Sequence, residues 1–238
     1  MVTRRRDFLL AGAALGIGGA AGRTLLAADA AQPAEEVSAV EDLMREHGVL
    51  RRIMLIYEEC VRQLRSKSEN FDAVDRVLLA TADLVRKFVE DYHEKLEENH
   101  LFPVFEKHGE LVPLVNTLRE QHAAGRALTD PLLRLAASAA ATRLTFQEPR
   151  LRKKAVVSCE AFLRMYRPHA AREDTVLFPA FKKLLSAKQL DELGDKFEDE
   201  ENRRFGADGF GKMVEKVAAI EKQLGICNLS QFTPQVTK

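Results

Sequence analysis

Two histidine–glutamate pairs in the sequence share the same spacing and the same following residues. In each pair the glutamate lies four residues after the histidine, and the tripeptide Leu-Phe-Pro follows at the same offset. The two copies are His93, Glu97 and 101–103, then His169, Glu173 and 177–179. Residues four apart on a helix lie one above the other, so each copy directs an imidazole and a carboxylate toward one point.

Two further histidines, His47 and His122, lie in apolar helical stripes ahead of these copies. Imidazole and carboxylate ligands suit iron, zinc, manganese or copper, and no thiolate spacing selects a softer metal. Two carboxylates between two ions, with positions left open for solvent, favour a di-iron site over a closed structural zinc site. The candidate metal ligands are His47, His93, Glu97, His122, His169 and Glu173.

Taken one at a time, these residues have simpler explanations. A lone histidine in an apolar stripe is more often a hydrogen-bonded core residue, and a lone His–Glu pair on a charged helix is more often solvated. Four inward histidines would carry a heavy desolvation cost unless a common partner satisfied them, so the duplicated pattern favours metal binding. A ferritin-like site is excluded because Glu-x-x-His occurs only in the second helix.

Long amphipathic helices are needed to position these side chains. The apolar spacing predicts four of them, over about residues 38–66, 72–100, 113–146 and 149–175. Pro103 and Pro179 are expected to end the second and fourth helices, and Pro131 to kink or restart the third. Short connections imply an all-α, up-down-up-down bundle of two like hairpins related by a pseudo-two-fold axis. Two more helices, about 186–204 and 212–224, follow the bundle.

The composition agrees with an all-α protein that has no nucleic-acid surface. Ala, Leu, Glu, Lys and Arg dominate long tracts, whereas Trp is absent. The 36 basic and 36 acidic residues leave no net charge to attract nucleic acid. Cys60, Cys159 and Cys227 show no CxxC spacing, and the first two are expected in the core.

Over residues 38–182 the sequence resembles the hemerythrin-like, or HHE cation-binding, family. The residues that carry the resemblance are His47, His93–Glu94 with Glu97, Gln121–His122, His169 with Glu173, and both Leu-Phe-Pro ends. The resemblance implies a four-helix bundle around a non-haem di-iron centre, with the two glutamates bridging and the four histidines terminal. Oxygen carriers of this family have a fifth histidine one turn after the third-helix histidine, where this chain has Arg126. The difference argues against reversible oxygen carriage and for an open position where oxygen or peroxide could react.

The N-terminus has the features of an export signal. Arg5–Arg6 and Phe8–Leu9 resemble the twin-arginine type, and an apolar run too short for a comfortable membrane span follows. An ordinary secretion signal or an uncleaved anchor is the alternative. The expected organisation is a signal peptide (1–30), a linker (31–37), the bundle (38–182), a C-terminal helical extension (183–226) and a disordered tail (227–238). The mature chain is expected to be periplasmic or otherwise exported, without a membrane span.

Three functions are compatible with these residues. The first is an exported protein whose di-iron centre binds O2, NO or peroxide, or handles iron, as a sensor, scavenger or store. The second is a di-iron oxidase or peroxidase, and the third is a metal-free helical module that binds a partner. Glu94 and Glu98 differ in helical phase from His93 and are expected to be solvated, and the tyrosines are expected to pack in the core.

Overall fold

The computed structural model describes residues 37–66, 71–142 and 146–236, apart from the side chains of 136–142. Every regular element in these residues is helical, which confirms the all-α class. The α-helices are α1 (Ala39–Leu64), α2 (Asp72–Leu84), α3 (Glu94–Leu96), α4 (Phe102–His108), α5 (Val112–Thr142), α6 (Pro149–Arg172), α7 (Phe178–Leu184), α8 (Ala187–Phe205) and α9 (Gly209–Leu224). Three π-helical segments lie between them, namely Val85–His93, Glu97–Leu101 and Glu173–Leu177. The predicted signal peptide lies outside the described residues.

Four helical stretches form the four-helix bundle that the spacing predicts. They are α1, residues 72–108, α5 and residues 149–184. Helix α1 packs on α2 and α6, and α5 packs on the same two helices, so each stretch has two neighbours. Large aromatic side chains fill the interior, among them Tyr57, Phe88, Phe102, Phe162 and Phe178. Their burial supplies the main hydrophobic stabilisation of the bundle.

The first helix begins where the sequence predicts. The hydroxyl oxygen of Ser38 accepts a hydrogen bond from the backbone N–H of Glu41, and the Glu41 carboxylate accepts one from the backbone N–H of Ser38. This capping box satisfies two backbone donors at the helix start and contributes about 1 kcal/mol. It fixes the start of the helix that carries Glu46 and His47.

Contrary to the prediction, Pro103 and Pro179 do not end their helices. In both places a π-helical segment precedes the proline, and the helical stretch continues to His108 and to Leu184. Pro131 also lies within α5, so the third helix does not restart there. The helices that carry the candidate ligands are therefore longer than the sequence pattern indicates.

The π-helical turns explain how both helices continue past a proline. The backbone N–H of Phe102 bonds to the carbonyl of Glu97, and that of Phe178 bonds to the carbonyl of Glu173, each five residues back. In a regular α-helix the ring of the next residue, a proline, would clash with the carbonyl four residues before it. In the π-helical turn the N–H groups bond five residues back instead of four, so the carbonyl four residues before the proline is not where an α-helix would place it and the proline can follow.

The C-terminal helices cover one side of the bundle. Helix α9 packs on α1 and α2, and α8 packs on α1. Arg52 on α1 donates two hydrogen bonds to Glu221 on α9, at 2.8 and 2.6 Å. Beyond them, the 3-10 helix Leu229–Phe232 is exposed. In the described part of the chain, no helix is both long and apolar enough to span a membrane.

Candidate metal centre

The six candidate ligands are buried together inside the bundle, and none is more than 4% exposed. Their histidine rings form two close pairs. The ring centroids of His47 and His93 are 4.7 Å apart, and those of His122 and His169 are 5.1 Å apart. The first pair comes from the first two bundle helices and the second pair from the last two. We call the surroundings of the His47–His93 pair the first metal position and those of the His122–His169 pair the second metal position.

Each of the two glutamates reaches one histidine of the first position and one histidine of the second. Glu97 directs Oε1 toward Nε2 of His93, at 3.7 Å, and Oε2 toward Nε2 of His122, at 3.4 Å. Oε2 of Glu173 lies 3.3 Å from Nε2 of His47 and 3.1 Å from Nε2 of His169. Both carboxylates therefore lie between the two positions, where bridging groups would be needed.

The inward-facing atoms of this cluster lack hydrogen-bond partners among the described residues. Both carboxylate oxygens of Glu97 and of Glu173 are buried without one, and so are the Nε2 atoms of His47, His93 and His122. An unpaired buried polar atom costs about 1–3 kcal/mol, and more when it is charged. Metal ions would satisfy all of these atoms at once, because each atom can donate an electron pair. The residues therefore fit a metal site.

Each histidine is held on Nδ1, the ring nitrogen that faces away from the cluster. The acceptors are Asp174 for His47 (2.7 Å), Glu46 for His93 (2.8 Å), Glu98 for His122 (3.1 Å) and Gln121 for His169 (2.8 Å). A carboxylate or amide oxygen accepts, so each Nδ1 carries the proton and each Nε2 presents its lone pair inward. Such partners fix the orientation of metal-binding histidines.

Sequence reasoning did not identify these four acceptors as partners of the histidines, although their places follow a simple rule. Glu46 and Gln121 directly precede a candidate histidine, and Glu98 and Asp174 directly follow a candidate glutamate. The repeat therefore includes one residue beside each of four candidate ligands, two histidines and two glutamates. A comparison of the two copies at these flanking places could have found them.

Burial sets the protonation of the cluster in the absence of metal. It lowers the pKa of His122 to about 4 and the pKa of His93 well below its usual value, so both are neutral at physiological pH. Neutral imidazole is the form that binds a metal ion. Burial and the nearby Glu173 raise the pKa of Glu97 well above its usual range. Burial acts on Glu173 too, but the two nearest imidazoles outweigh it and hold the pKa of Glu173 low.

The Leu-Phe-Pro ends support the histidines through ring stacking. Phe102 stacks on His122, with centroids 5.5 Å apart and planes at 22°. Phe178 stacks on His47 in the same way, at 5.3 Å and 26°. Each phenylalanine thus supports a histidine of the opposite hairpin, and the contacts repeat in pairs as a pseudo-two-fold relation requires.

A polar cluster adjoins the second metal position. Arg126 contacts Glu98 at 2.7 Å and Glu94 at 2.8 Å, and the other oxygen of Glu94 accepts a hydrogen bond from the Tyr166 hydroxyl at 2.5 Å. Glu94 is buried and Glu98 is largely so, which makes the prediction of two solvated glutamates wrong. Burial raises the pKa of both Glu94 and Tyr166. Gly125 leaves the necessary space, because a Cβ there would lie 2.0 Å from the tyrosine oxygen.

The fold and the buried donor set define a metal-binding helical-bundle protein. Residues 38–181 match the Hemerythrin HHE cation binding domain, and the chain belongs to this family. Uncharacterized proteins of Mycobacterium tuberculosis and Mycobacterium bovis are 48% identical to it over 198 residues, which cover 83% of this chain and 74% of each relative. No solved structure gives a significant match.

Proposed function

We propose that the chain is an exported protein that binds two non-haem iron ions and interacts through them with O2, NO or peroxide. The main support is the convergence of buried nitrogen and oxygen atoms that could bind metal and that lack hydrogen-bond partners among the described residues. The carboxylates of Glu97 and Glu173 both lie between the two histidine pairs. Bound iron would supply redox chemistry toward such small ligands. Two bridging carboxylates favour iron over a closed four-ligand zinc site.

The residues of the chain would divide the work as follows. The four histidines would be terminal ligands, and Glu97 and Glu173 would bridge. The Nδ1 acceptors would keep the rings oriented and the Nε2 lone pairs inward. The stacked Phe102 and Phe178 would help to exclude water, because both are fully buried against ligand histidines.

A di-iron oxidase or peroxidase is the second candidate, and the cluster around Arg126 favours it. Arg126 stands where oxygen carriers of the family have a fifth histidine, and it is held by Glu94 and Glu98 rather than facing the metal as a ligand. A side chain that cannot ligate would leave a coordination position open. Tyr166 would lie close to that position, because its ring packs against His169 at 5.2 Å while its hydroxyl donates to Glu94.

Iron content and the absorption spectrum under air test this proposal. About two irons per chain are expected in the unchanged protein, with loss in His93→Ala and Glu173→Ala. Iron should be retained in Glu59→Ala, whose side chain pairs with the exposed Arg62 away from the candidate ligands. A stable, reversible oxygen band would support binding, whereas rapid oxidation with turnover of peroxide would support the enzyme. Protein that takes up no iron would overturn both and favour a metal-free module.

Export is tested separately by cell fractionation. The proposal rests on Arg5–Arg6 and the apolar run after them. Replacing both arginines by lysine should leave the protein in the cytoplasm, whereas Arg4→Lys, just outside the pair, should not. Cytoplasmic location of the unchanged protein would contradict export.

A further inference from the structure

The acceptors behind the four histidines obey the pseudo-two-fold relation except in one respect. Glu46 and Gln121 are equivalent. Glu46 precedes His47 and accepts a hydrogen bond from Nδ1 of His93 at 2.8 Å. Gln121 precedes His122 and accepts one from Nδ1 of His169, also at 2.8 Å. Asp174 and Glu98 are the second equivalent pair, and each follows one of the two glutamates that would bridge. The first metal position therefore has two carboxylate acceptors, whereas the second has one carboxylate and one neutral amide.

The surroundings of the first position are strongly acidic. Carboxylate oxygens of Asp42, Glu46 and Glu201 lie within 4.8 Å of one another, and all three residues are buried. Two exposed arginines lie beside these acidic residues. Arg45 is 3.8 Å from Asp42, and Arg51 forms an ion pair with Asp174; their side chains are 36% and 47% exposed, so solvent screens both. Buried carboxylates next to this position favour a bound cation.

The surroundings of the second position are closer to neutral. Glu98 contacts both Lys95 and Arg126, so two cations offset its charge. Glu94 pairs with the same arginine, which leaves two carboxylates against two cations. A cation at this position gains less from its surroundings than one at the first position.

We propose that Glu46 and Gln121 make the two metal positions unequal, with the first binding its ion about 10–100-fold more tightly than the second. A carboxylate behind a histidine makes the ring a stronger donor than an amide carbonyl does, and changes in such partners typically alter metal affinity 10–100-fold. The inference rests on the proposed metal site, but not on iron as the metal. The second position, next to Arg126, is then the one that fills last and empties first.

Stepwise binding of Zn2+ to the metal-free full chain, followed by calorimetry, tests this inequality. Zinc has no redox chemistry and accepts the same donor types. The unchanged protein should show two steps about 10–100-fold apart. Glu46→Gln should weaken the tighter step by about ten-fold, and Gln121→Glu should strengthen the weaker step by a similar factor. The control Glu59→Gln removes a carboxylate from the same helix, one bonded to Arg62 and Gln63, and should change neither step.

The possible outcomes separate this inference from the proposed function. Two binding steps of equal affinity would overturn the inequality while the metal site stands. The same holds if Glu46→Gln changes the weaker step or Gln121→Glu changes the tighter step. No uptake of either zinc or iron would overturn the site and the inequality together. If Glu46→Gln does not fold, Gln121→Glu decides alone, and an unchanged weaker step refutes the proposal. The double swap, Glu46→Gln with Gln121→Glu, should exchange the two affinities.

Discussion

Replacing Gly125 with alanine would place a methyl group against the Tyr166 side chain. The new carbon would lie 2.0 Å from the hydroxyl oxygen and 2.8 Å from Cζ. The ring would have to shift by roughly 1.5 Å to regain ordinary contact. That shift would break the 2.5 Å hydrogen bond to Glu94, a residue that is 1% exposed.

The expected cost follows from these contacts. Overpacking a core costs about 1–3 kcal/mol, and a buried carboxyl oxygen that loses its donor costs about 1–3 kcal/mol more. Alanine gains roughly 0.5–1 kcal/mol over glycine in a helix interior. The net destabilisation should be roughly 1–5 kcal/mol, or about 2–20 °C in melting temperature for a chain of this length.

Thermal and urea unfolding of metal-free protein, followed by circular dichroism, measure this cost. Gly48→Ala is the matched control, because a Cβ at Gly48 would meet nothing within 4 Å and the variant should be slightly more stable. Tyr166→Phe removes the closest contact, so the double variant should cost at least about 1 kcal/mol less than the sum of the single variants. Equal stability of the two glycine variants, or simple additivity, would refute this account of the close approach.

Three further results are expected. Chelation should lower the melting temperature, because the buried donors lose their common partner and the carboxyl groups of Glu97 and Glu173 lose the cations that offset their repulsion, and equal melting with and without iron would count against the site. The pKa of His122 in the folded, metal-free protein is about 4, against an ordinary value of 6.5. The unfolded chain therefore binds the proton at higher pH than the folded chain does, and the free energy of unfolding falls as the pH drops from 6.5 to about 4. The share of this residue is roughly 3 kcal/mol, and His122→Gln should flatten that part of the pH profile of the urea midpoint. Burial raises the pKa of Cys60 to about 12 and that of Cys159 well above its usual value, so only the exposed Cys227 should react with a thiol reagent near neutral pH, and labelling of all three would contradict this.

Local periodicity was sufficient to predict the bundle and its inward faces. His93 and Glu97 are one helical turn apart, so their shared direction is a property of a single helix and needs no partner. The same period failed for Glu94, because a helix packed on several neighbours is buried on more than one face. Glu94 contacts Arg126 of the third bundle helix and Tyr166 of the fourth. The error at Pro103 has a different origin, since the prediction assumed α-helical hydrogen bonding on both sides of the proline, whereas a π-helical turn precedes it.

By itself the sequence determined the all-α class, the duplicated pattern and the identity of the six candidate ligands, because each depends on residue types at short, regular spacing. The tertiary structure alone decided which histidines pair, that each glutamate reaches both pairs, and that Glu46 and Gln121 hold equivalent rings. These relations join residues far apart in the chain, and their distances are set by the packing of one helix on another. Helical spacing carries no information about that packing, so the inequality of the two metal positions could be inferred only from the folded protein.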